Sequence, residues 1–254
     1  MQNVDTHVPV RGLRFDNLTV AETMACLSER LENGIQTAVF TPNAEIVQAC
    51  IDDPSLYPVI GSADLLVPDG IGVIKAAKIL GTPLKEKVAG VVVGEKLVEM
   101  LSHAPAHKLF LLGGKPGVAQ IAADKLTAKY PGLVIAGLHD GYFQKEGAEN
   151  EAVLAEIRQS GADVLYVCLG APAQEKWIYA NRAALPEVTL LLGLGGSVDV
   201  YAGTVKRAPK IFIKLGLEWF YRLCKEPRRI GRMMNLPRFY FGTWLYKLRG
   251  NKEK

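Results

Sequence analysis

Short apolar runs alternate with helix-like stretches through most of this chain, and this alternation limits the fold more than any other feature. The candidate strands are Thr37–Phe40, Leu65–Val67, Leu109–Leu112, Leu133–Leu138, Val164–Leu169 and Thr189–Leu194. The helix-like stretches between them are Ala44–Ile51, Ile71–Leu80, Gly94–Leu101, Val118–Lys129, Asn150–Gln159 and Glu175–Ala184. Near-continuous Val and Leu strands separated by helices indicate a parallel sheet that is covered on both faces. The sequence therefore predicts an α/β fold: a Rossmann-like, mostly parallel sheet with helices on both faces.

Composition excludes several classes of protein. Of the 254 residues, 49% are hydrophobic and 22% are charged, which is typical of a globular protein and excludes general disorder. The four cysteines lie far apart without a CxxC pair, and the four histidines form no HExxH motif, so we expect no metal site and no cofactor. No signal-like N-terminus and no bilayer-length apolar run is present, which predicts a cytoplasmic protein.

Charge is distributed unevenly along the chain. Residues 206–254 hold 14 Lys or Arg against three Glu, together with nine of the 20 aromatic residues, while the preceding 205 residues carry 16 basic and 23 acidic side chains. We therefore predict two units: an α/β core, 1–205, and a basic, aromatic helical C-terminal appendage, 206–254. A basic segment joined to an acidic body suggests an anionic partner, which is a nucleic acid, a phospholipid surface or a phosphorylated substrate.

The pattern of the appendage leaves two interpretations open. Residues 211–223 and 239–248 are both helix-like and rich in aromatic side chains, and Pro227 lies between them. Aromatic side chains beside Lys and Arg are typical of helices that lie in a membrane interface. The alternative is a pair of terminal helices that pack on the sheet and expose basic faces to solvent.

Polar and glycine-rich loops follow each predicted strand. Because the carboxyl ends of parallel strands meet at one edge, these loops should converge there, where open α/β sheets bind ligands. Asp69, in the tripeptide Pro68-Asp69-Gly70, is either a helix N-cap or a catalytic base at this edge. Asn43, which follows Thr41-Pro42, is likewise a candidate cap.

A glycine turn follows the strand Leu109–Leu112 and precedes a helix, and such turns present backbone N–H groups to phosphates. Gly113, Gly114, Gly117 and the later Asp140 are therefore candidate nucleotide-binding residues. The dinucleotide fingerprint requires glycine at offsets 0, 2 and 5, and this turn does not match it. A nucleotide-dependent oxidoreductase using NAD stays open as a weaker alternative, and so does nucleic-acid binding by the basic tail.

Six segments occur in an order that resembles the WecG/TagA/CpsF glycosyltransferase family over about residues 11 to 235. They are TPNAEIVQAC, ADLLVPDGIGVIKAAK, LFLLGGKPGVA, GLHDGYF, LGAPAQEKWI and GLGGSVDVYAGTVKRAPK, the last followed by LGLEWFYRL and EPRR. The resemblance implies inverting transfer of N-acetylmannosamine or a related sugar from a UDP-sugar to undecaprenyl-diphosphate-linked N-acetylglucosamine. It implies a step in wall teichoic acid or surface polysaccharide synthesis, performed without metal at the inner face of the bacterial plasma membrane.

The resemblance also assigns roles to residues. It implies that Asp69 is the catalytic base and that Thr41 and Asn43 beside it contact substrate. It places Gln174 in the active site and implies that three tail arginines close over the site and hold a diphosphate: Arg222, Arg229 and Arg232. The expected partners are the UDP-sugar, the lipid-linked acceptor and an anionic membrane surface, without nucleic acid, and a homo-oligomer is left open.

Three positions depart from the family pattern. Lys87 stands where the family usually has Arg, so that the charge is kept and the bidentate fork is lost. We expect Lys87 to contact substrate phosphate. Val92 replaces a common Asp, and Ala173 replaces a common Lys or Arg before Gln174. These changes leave the base assignment intact and leave the identity of the donor sugar open.

Overall fold

The structure is a computed structural model that describes residues 7–205, 208–209, 211–212, 220–221 and 235–250. Its centre is a sheet of six strands, and every neighbouring pair in it is parallel. The strands are β3 (Thr37–Phe40), β4 (Leu65–Leu66), β5 (Lys108–Gly113), β6 (Val134–His139), β7 (Val164–Cys168) and β8 (Leu190–Gly193). Their order across the sheet is β4-β3-β8-β7-β5-β6. The predicted α/β class is confirmed.

Helices cover both faces of the sheet because successive strand side chains point to opposite sides. One face carries α2 (Ala44–Asp52), α3 (Leu56–Ile60), α4 (Gly70–Leu80), α7 (Gly147–Ser160) and α8 (Ala173–Asn181). The other carries α1 (Val20–Glu32), α5 (Gly90–Ser102), α6 (Val118–Lys129) and α9 (Ser197–Tyr201). In β3, for example, Phe40 packs on the first face and Val39 on the second, and both are fully buried.

A small antiparallel hairpin precedes the sheet and was not predicted. It pairs β1 (His7–Val10) with β2 (Leu13–Asp16), and its turn residues Arg11 and Gly12 both have positive φ, 52° and 90°. Two consecutive positive φ angles are the geometry of a tight two-residue hairpin turn. The hairpin is joined to the main sheet where the Leu66 N–H donates to Asp16 Oδ2 at 2.7 Å.

Several helices differ from the prediction. The helix α1 was missed, although its N-terminus carries a capping box between Thr19 and Glu22. The prediction started α5 at Gly94, whereas it begins at Gly90 and includes the run Val91–Val93. β-Branched residues disfavour helix only weakly, and burial of Val93 against the sheet outweighs that preference.

The last described helix, α10 (Asn235–Leu248), packs across α2 and α4. Phe239 and Thr243 are fully buried, and Arg238 forms an ion pair with Asp52 at 2.8 Å. The prediction began this helix at Phe239, four residues late, and Pro237 fits in its first turn because a proline there removes no intrahelical hydrogen bond. Most of the other predicted helix, 211–223, lies outside the described residues.

Candidate functional site

The carboxyl ends of the six strands form one edge of the sheet, which we call the carboxyl rim. The chain leaves the strands there through Asp69 after β4, Thr41 after β3, Gly195 after β8, Gly170 after β7, Gly114 after β5 and Asp140 after β6. This is the edge at which the sequence placed its polar and glycine-rich loops, and the structure gives their order along it. Open α/β sheets bind ligands at this edge, so the rim is the candidate functional site.

Asp69 occupies the N-cap position of α4, yet its side chain makes no capping hydrogen bond. Instead, the Gly90 N–H donates to Asp69 Oδ2 over a long distance, 3.4 Å. The Asp69 N–H donates to the Pro42 carbonyl at 3.2 Å, which fixes this loop beside the end of β3. Because this side chain accepts no hydrogen bond from the first turn of α4, the interpretation of Asp69 as a side-chain cap is wrong. Asp69 is partly exposed at the rim.

Thr41 and Gly90 lie against each other beside Asp69. A β-carbon on Gly90 would lie 2.7 Å from Thr41 Oγ1, a distance that real β-carbons do not show. Only glycine lets the start of α5 approach Thr41 this closely. Sequence reasoning did not identify Gly90, and its position in the segment Lys87-Val88-Ala89-Gly90, directly before a helix, was the available signal.

Asn43 does cap α2, as one of its two interpretations predicted. Its Oδ1 accepts hydrogen bonds from the N–H groups of Glu45 at 2.9 Å and Ile46 at 3.1 Å. Among the described residues, its Nδ2 makes no hydrogen bond, so the amide keeps a donor for a ligand. A β-carbon on Gly70 would lie 3.8 Å from Asn43 Cβ, which places the cap next to the Asp69 loop.

Lys87 lies in the loop that leads into α5 and is partly exposed. The N–H of the next residue, Val88, donates to the Pro68 carbonyl at 2.8 Å. This hydrogen bond holds the Lys87 loop beside the Asp69 loop. We call the group at this end of the rim the Asp69 cluster; its members are Asp69, Thr41, Asn43, Lys87 and Gly90.

Gln174, in the first turn of α8, is buried under the middle of the rim. Its Oε1 accepts the Gly195 N–H at 2.7 Å, and its Nε2 donates to Glu175 Oε1 at 2.9 Å. Glu175 is itself 1% exposed, and burial raises the pKa of its carboxyl. Sequence analysis assigned a role to Gln174 and expected Gly195 only as part of a glycine-rich loop at the rim; Glu175 was not recognised.

A second group lies at the opposite end of the rim, and we call Gly113, Gly114, Gly117 and Asp140 the glycine cluster. Gly113 has a φ of 135°, and a β-carbon there would lie 2.3 Å from the Cys168 carbonyl oxygen. The Gly114 carbonyl accepts the Gly141 N–H at 2.8 Å, which joins this turn to the Asp140 loop. Asp140 Oδ1 accepts the Tyr142 N–H at 2.7 Å. Gly117, with a φ of 81°, is the N-cap residue of α6.

The two clusters are separate along the rim. Asp69 follows β4 at one edge of the sheet and Asp140 follows β6 at the other, with four strands between them. At about 4.8 Å between neighbouring strands, these loops are about 24 Å apart. Gly195 follows β8, between the clusters, and Val198 of α9 faces Gly114, since a β-carbon on Gly114 would lie 3.1 Å from Val198 Cγ1. A ligand that touches both clusters is therefore elongated.

The remaining predicted positions fall in three places. Arg222, Arg229 and Arg232 lie outside the described residues. Val92 is partly exposed in the first turn of α5, two residues after Gly90, and Ala173 is exposed as the first residue of α8. Both departures from the family pattern therefore lie within two residues of the rim groups described above.

Two features are absent from the part of the chain that the structure describes. Within it, no three or more His, Cys, Asp or Glu side chains are grouped so that they would hold a metal ion. None of its helices has both the length and the apolar character needed to cross a bilayer.

Comparison with known proteins identifies relatives along almost the whole chain. The family model described as "Glycosyl transferase WecG/TagA/CpsF family" matches residues 8–253. A protein of Bacillus subtilis (strain 168) is 36% identical over 209 residues, 82% of this chain and 79% of its own length. One of Staphylococcus aureus (strain MW2) is 34% identical over 249 residues, 97% of this chain and 94% of its own. Both relatives are named N-acetylglucosaminyldiphosphoundecaprenol N-acetyl-beta-D-mannosaminyltransferase.

Proposed function

Because the chain belongs to the WecG/TagA/CpsF glycosyltransferase family, we propose that it moves N-acetylmannosamine, or a related N-acetylhexosamine, from a UDP-sugar to undecaprenyl-diphosphate-linked N-acetylglucosamine. The acceptor and the sugar follow the names of the two relatives, and the UDP donor completes the reaction. Family membership favours this function over an NAD-dependent oxidoreductase and over nucleic-acid binding. The product fits a step of teichoic acid or surface polysaccharide synthesis.

The observation that carries the proposal is the Asp69 cluster. It combines a partly exposed carboxylate, held 3.4 Å from the Gly90 N–H, with a neighbouring amide donor on Asn43. A carboxylate at a ligand-binding edge is suited to general-base catalysis. Asp69 takes the proton from the acceptor hydroxyl while the hydroxyl oxygen forms a bond to the sugar C1. The bond from C1 to the diphosphate oxygen breaks, and UDP leaves with its electron pair from the opposite face, so the configuration inverts.

The elongated rim suits an elongated donor. In this arrangement the nucleoside end lies at the glycine cluster, the diphosphate lies near the Gly195 turn and the sugar lies at the Asp69 cluster. The backbone N–H groups of the glycine turns and the ammonium group of Lys87 compensate the charge of the leaving diphosphate. Arg222, Arg229 and Arg232 add to this compensation from the appendage. No divalent cation takes part in this scheme, so excess EDTA should leave transfer unchanged.

An undecaprenyl acceptor stays in the bilayer, so the enzyme has to reach the membrane surface. We place the contact in the basic, aromatic appendage, 206–254, and the protein on the inner face of the plasma membrane. In α10, Phe241, Trp244 and Leu248 are all more than half exposed. Their spacings of three and four residues put them on one face of the helix, with cationic residues at neighbouring positions: Arg238, Lys247 and Arg249. This composition is suited to the interface of an anionic membrane.

The central test is Asp69→Asn, assayed with UDP-N-acetylmannosamine and a lipid-diphosphate-N-acetylglucosamine analogue. The asparagine Oδ1 still accepts the Gly90 N–H, so the loop is preserved, while the base is lost. We expect kcat to fall at least about 100-fold. The matched control is Asp124→Asn on the exposed surface of α6, which should keep wild-type turnover. Near-normal turnover by a folded Asp69→Asn protein would refute the base assignment.

A further inference from the structure

Glu175 is a buried acid whose hydrogen bonding is incomplete. Its side chain is 1% exposed and Oε1 accepts from Gln174, whereas Oε2 has no hydrogen-bond partner among the residues that the structure describes. Burying a carboxyl with one oxygen unpaired destabilises a fold compared with an apolar residue of similar size. The raised pKa of Glu175, which burial causes, is consistent with this cost. A residue kept at such a position is a candidate for a role other than packing.

The chemistry of the Gln174 amide shows what that role is. A primary amide has a donor end and an acceptor end of nearly the same shape, and a neighbour has to select between its two orientations. Glu175 Oε1 accepts, so the Gln174 NH₂ group faces it at 2.9 Å. The amide oxygen then faces the Gly195 N–H at 2.7 Å. In the flipped amide, an NH₂ group would oppose that N–H, and the hydrogen bond would be lost.

The hydrogen bond to Gly195 reaches the Asp69 cluster through packed neighbours. Gly195 has a φ of 56° and forms the turn between β8 and α9. The adjacent Leu194 lies against the start of α5, because a β-carbon on Gly90 would be 3.5 Å from Leu194 Cδ2. Gly90 donates its N–H to Asp69. The orientation of the Gly195 turn is thus linked to the position of the carboxylate through direct contacts.

We propose that Glu175 is a positioning residue for sugar transfer: its carboxyl oxygen fixes the orientation of the Gln174 amide, and this amide holds the Gly195 turn between the two clusters of the rim. Glu175 does not touch substrate in this scheme and acts only through Gln174. The inference rests on the proposed function for its effect on turnover. Its effect on the Gly195 turn is independent of the reaction.

The experiment compares Glu175→Met, Glu175→Gln, Gln174→Met and the double variant Glu175→Met/Gln174→Met. The methionine at 175 has similar size but accepts no amide hydrogen bond of comparable strength, so we expect kcat to fall about tenfold or more. The glutamine at 175 can present its own amide oxygen to Gln174 and should stay within about threefold of wild type. Because both residues act as one unit, Glu175→Met should add less than about twofold to the loss caused by Gln174→Met. Additive losses, or a Glu175→Gln variant as impaired as Glu175→Met, would overturn the proposal.

A second readout does not depend on activity. Hydrogen exchange of the Gly195 amide, followed by NMR, should be slow in wild type and in Glu175→Gln, and at least tenfold faster in Glu175→Met and Gln174→Met. If wild type transfers no sugar but these exchange rates differ as expected, the proposed function fails and the positioning role stands. Unchanged exchange in folded Glu175→Met refutes the role. If Glu175→Met does not fold, slow exchange of the Gly195 amide in Gln174→Met refutes the role instead.

The matched control is Asn181→Leu at the other end of α8. Asn181 is also buried and hydrogen-bonded, to Asn150 and to the Trp177 carbonyl, but it is the last residue of α8, at the end opposite Gln174. Its replacement should lower thermal stability while kcat and Gly195 exchange stay within about twofold of wild type. A loss of kcat in this variant equal to that of Glu175→Met would show that turnover reports only stability, and the positioning role would then be refuted.

Discussion

Thr41 Oγ1 lies 2.7 Å from the point at which a β-carbon on Gly90 would stand. This close approach joins the end of β3 to the start of α5, and the same glycine donates its N–H to Asp69 Oδ2. The position of the carboxylate therefore depends on a residue without a side chain. Thr41 is 9% exposed, so its hydroxyl has little space into which it can move.

Gly90→Ala should damage both the fold and the site. The added methyl forces Thr41 to rotate or α5 to shift, and overpacking of this kind destabilises a protein by about 1–3 kcal/mol. This exceeds the gain of about 0.5–1 kcal/mol that alanine brings to a helix. A shift of α5 also moves the N–H that holds Asp69, so kcat should fall about 10- to 100-fold. Urea unfolding and a transfer assay measure the two effects.

Gly242→Ala in α10 is the control for that variant. A β-carbon at Gly242 would lie 3.4 Å from an Arg11 guanidinium nitrogen, which is the end of a flexible side chain. We expect unchanged activity and stability equal to or slightly above wild type. Wild-type kcat in Gly90→Ala would show that the approach of Gly90 to Thr41 has no bearing on catalysis.

Asn43 combines two roles that different substitutions separate. Asn43→Ser keeps an oxygen that caps α2, so stability should stay within about 0.5 kcal/mol of wild type, whereas Asn43→Ala should lose about 1 kcal/mol. Both variants lack the Nδ2 donor, so both should lose at least about tenfold in kcat/KM for the donor sugar. Thermal denaturation and initial-rate kinetics test this. Full activity in Asn43→Ser would leave Asn43 with the capping role alone.

Much of the fold could be predicted from the sequence because the hydrophobic patterns of its strands and of its helices are both strong. The helix Val118–Lys129 was predicted with its observed bounds, and β3 likewise, since a run of buried strand residues between polar turns has few other interpretations. The polar loops after the strands correctly predicted the carboxyl rim. The order of the strands in the sheet was not predictable. It depends on how far across the sheet each connecting helix carries the chain, and local sequence contains no signal for that distance.

The site was only partly predictable for a related reason. Asp69 and Asn43 were noticed because their side chains carry chemistry next to turn residues. Gly90 and Gly195 contribute backbone N–H groups, whose importance appears only when distant segments are brought together. Glu175 was hidden because a charged residue in the first turn of a helix is usually a solvated one. Its burial is a property of how α8 packs, and local sequence does not encode it.

Stability should depend on pH through Glu175. Burial raises its folded-state pKa above the ordinary value of 4.5. Below pH 4.5 the Glu175 carboxyl is protonated in both the folded and the unfolded chain. Above pH 4.5 the unfolded chain loses this proton first, so the free energy of unfolding falls until the pH passes the folded-state pKa. Glu175→Gln removes this titration. The urea midpoint of Glu175→Gln minus that of wild type should therefore increase as the pH rises above 4.5.

Parallel pH curves for wild type and Glu175→Gln would contradict this assignment. Glu99→Gln, at an exposed position of α5 on the other face of the sheet, controls for the general effect of removing one negative charge. The midpoints are to be measured at constant ionic strength, because screening changes with salt.

Membrane binding should depend on the exposed face of α10. Phe241 is 64% exposed and Trp244 is 52% exposed, whereas Phe239 on the same helix is fully buried. Phe241→Ser/Trp244→Ser should therefore leave the free energy of unfolding within about 0.5 kcal/mol of wild type. It should weaken sedimentation with phosphatidylglycerol vesicles at least about tenfold, because the aromatic area available to the interface is lost. Tyr179→Ser, an exposed aromatic position on α8, is the control and should bind as wild type does. A folded Phe241→Ser/Trp244→Ser protein that sediments with these vesicles as wild type does would exclude this face of α10 as the membrane contact.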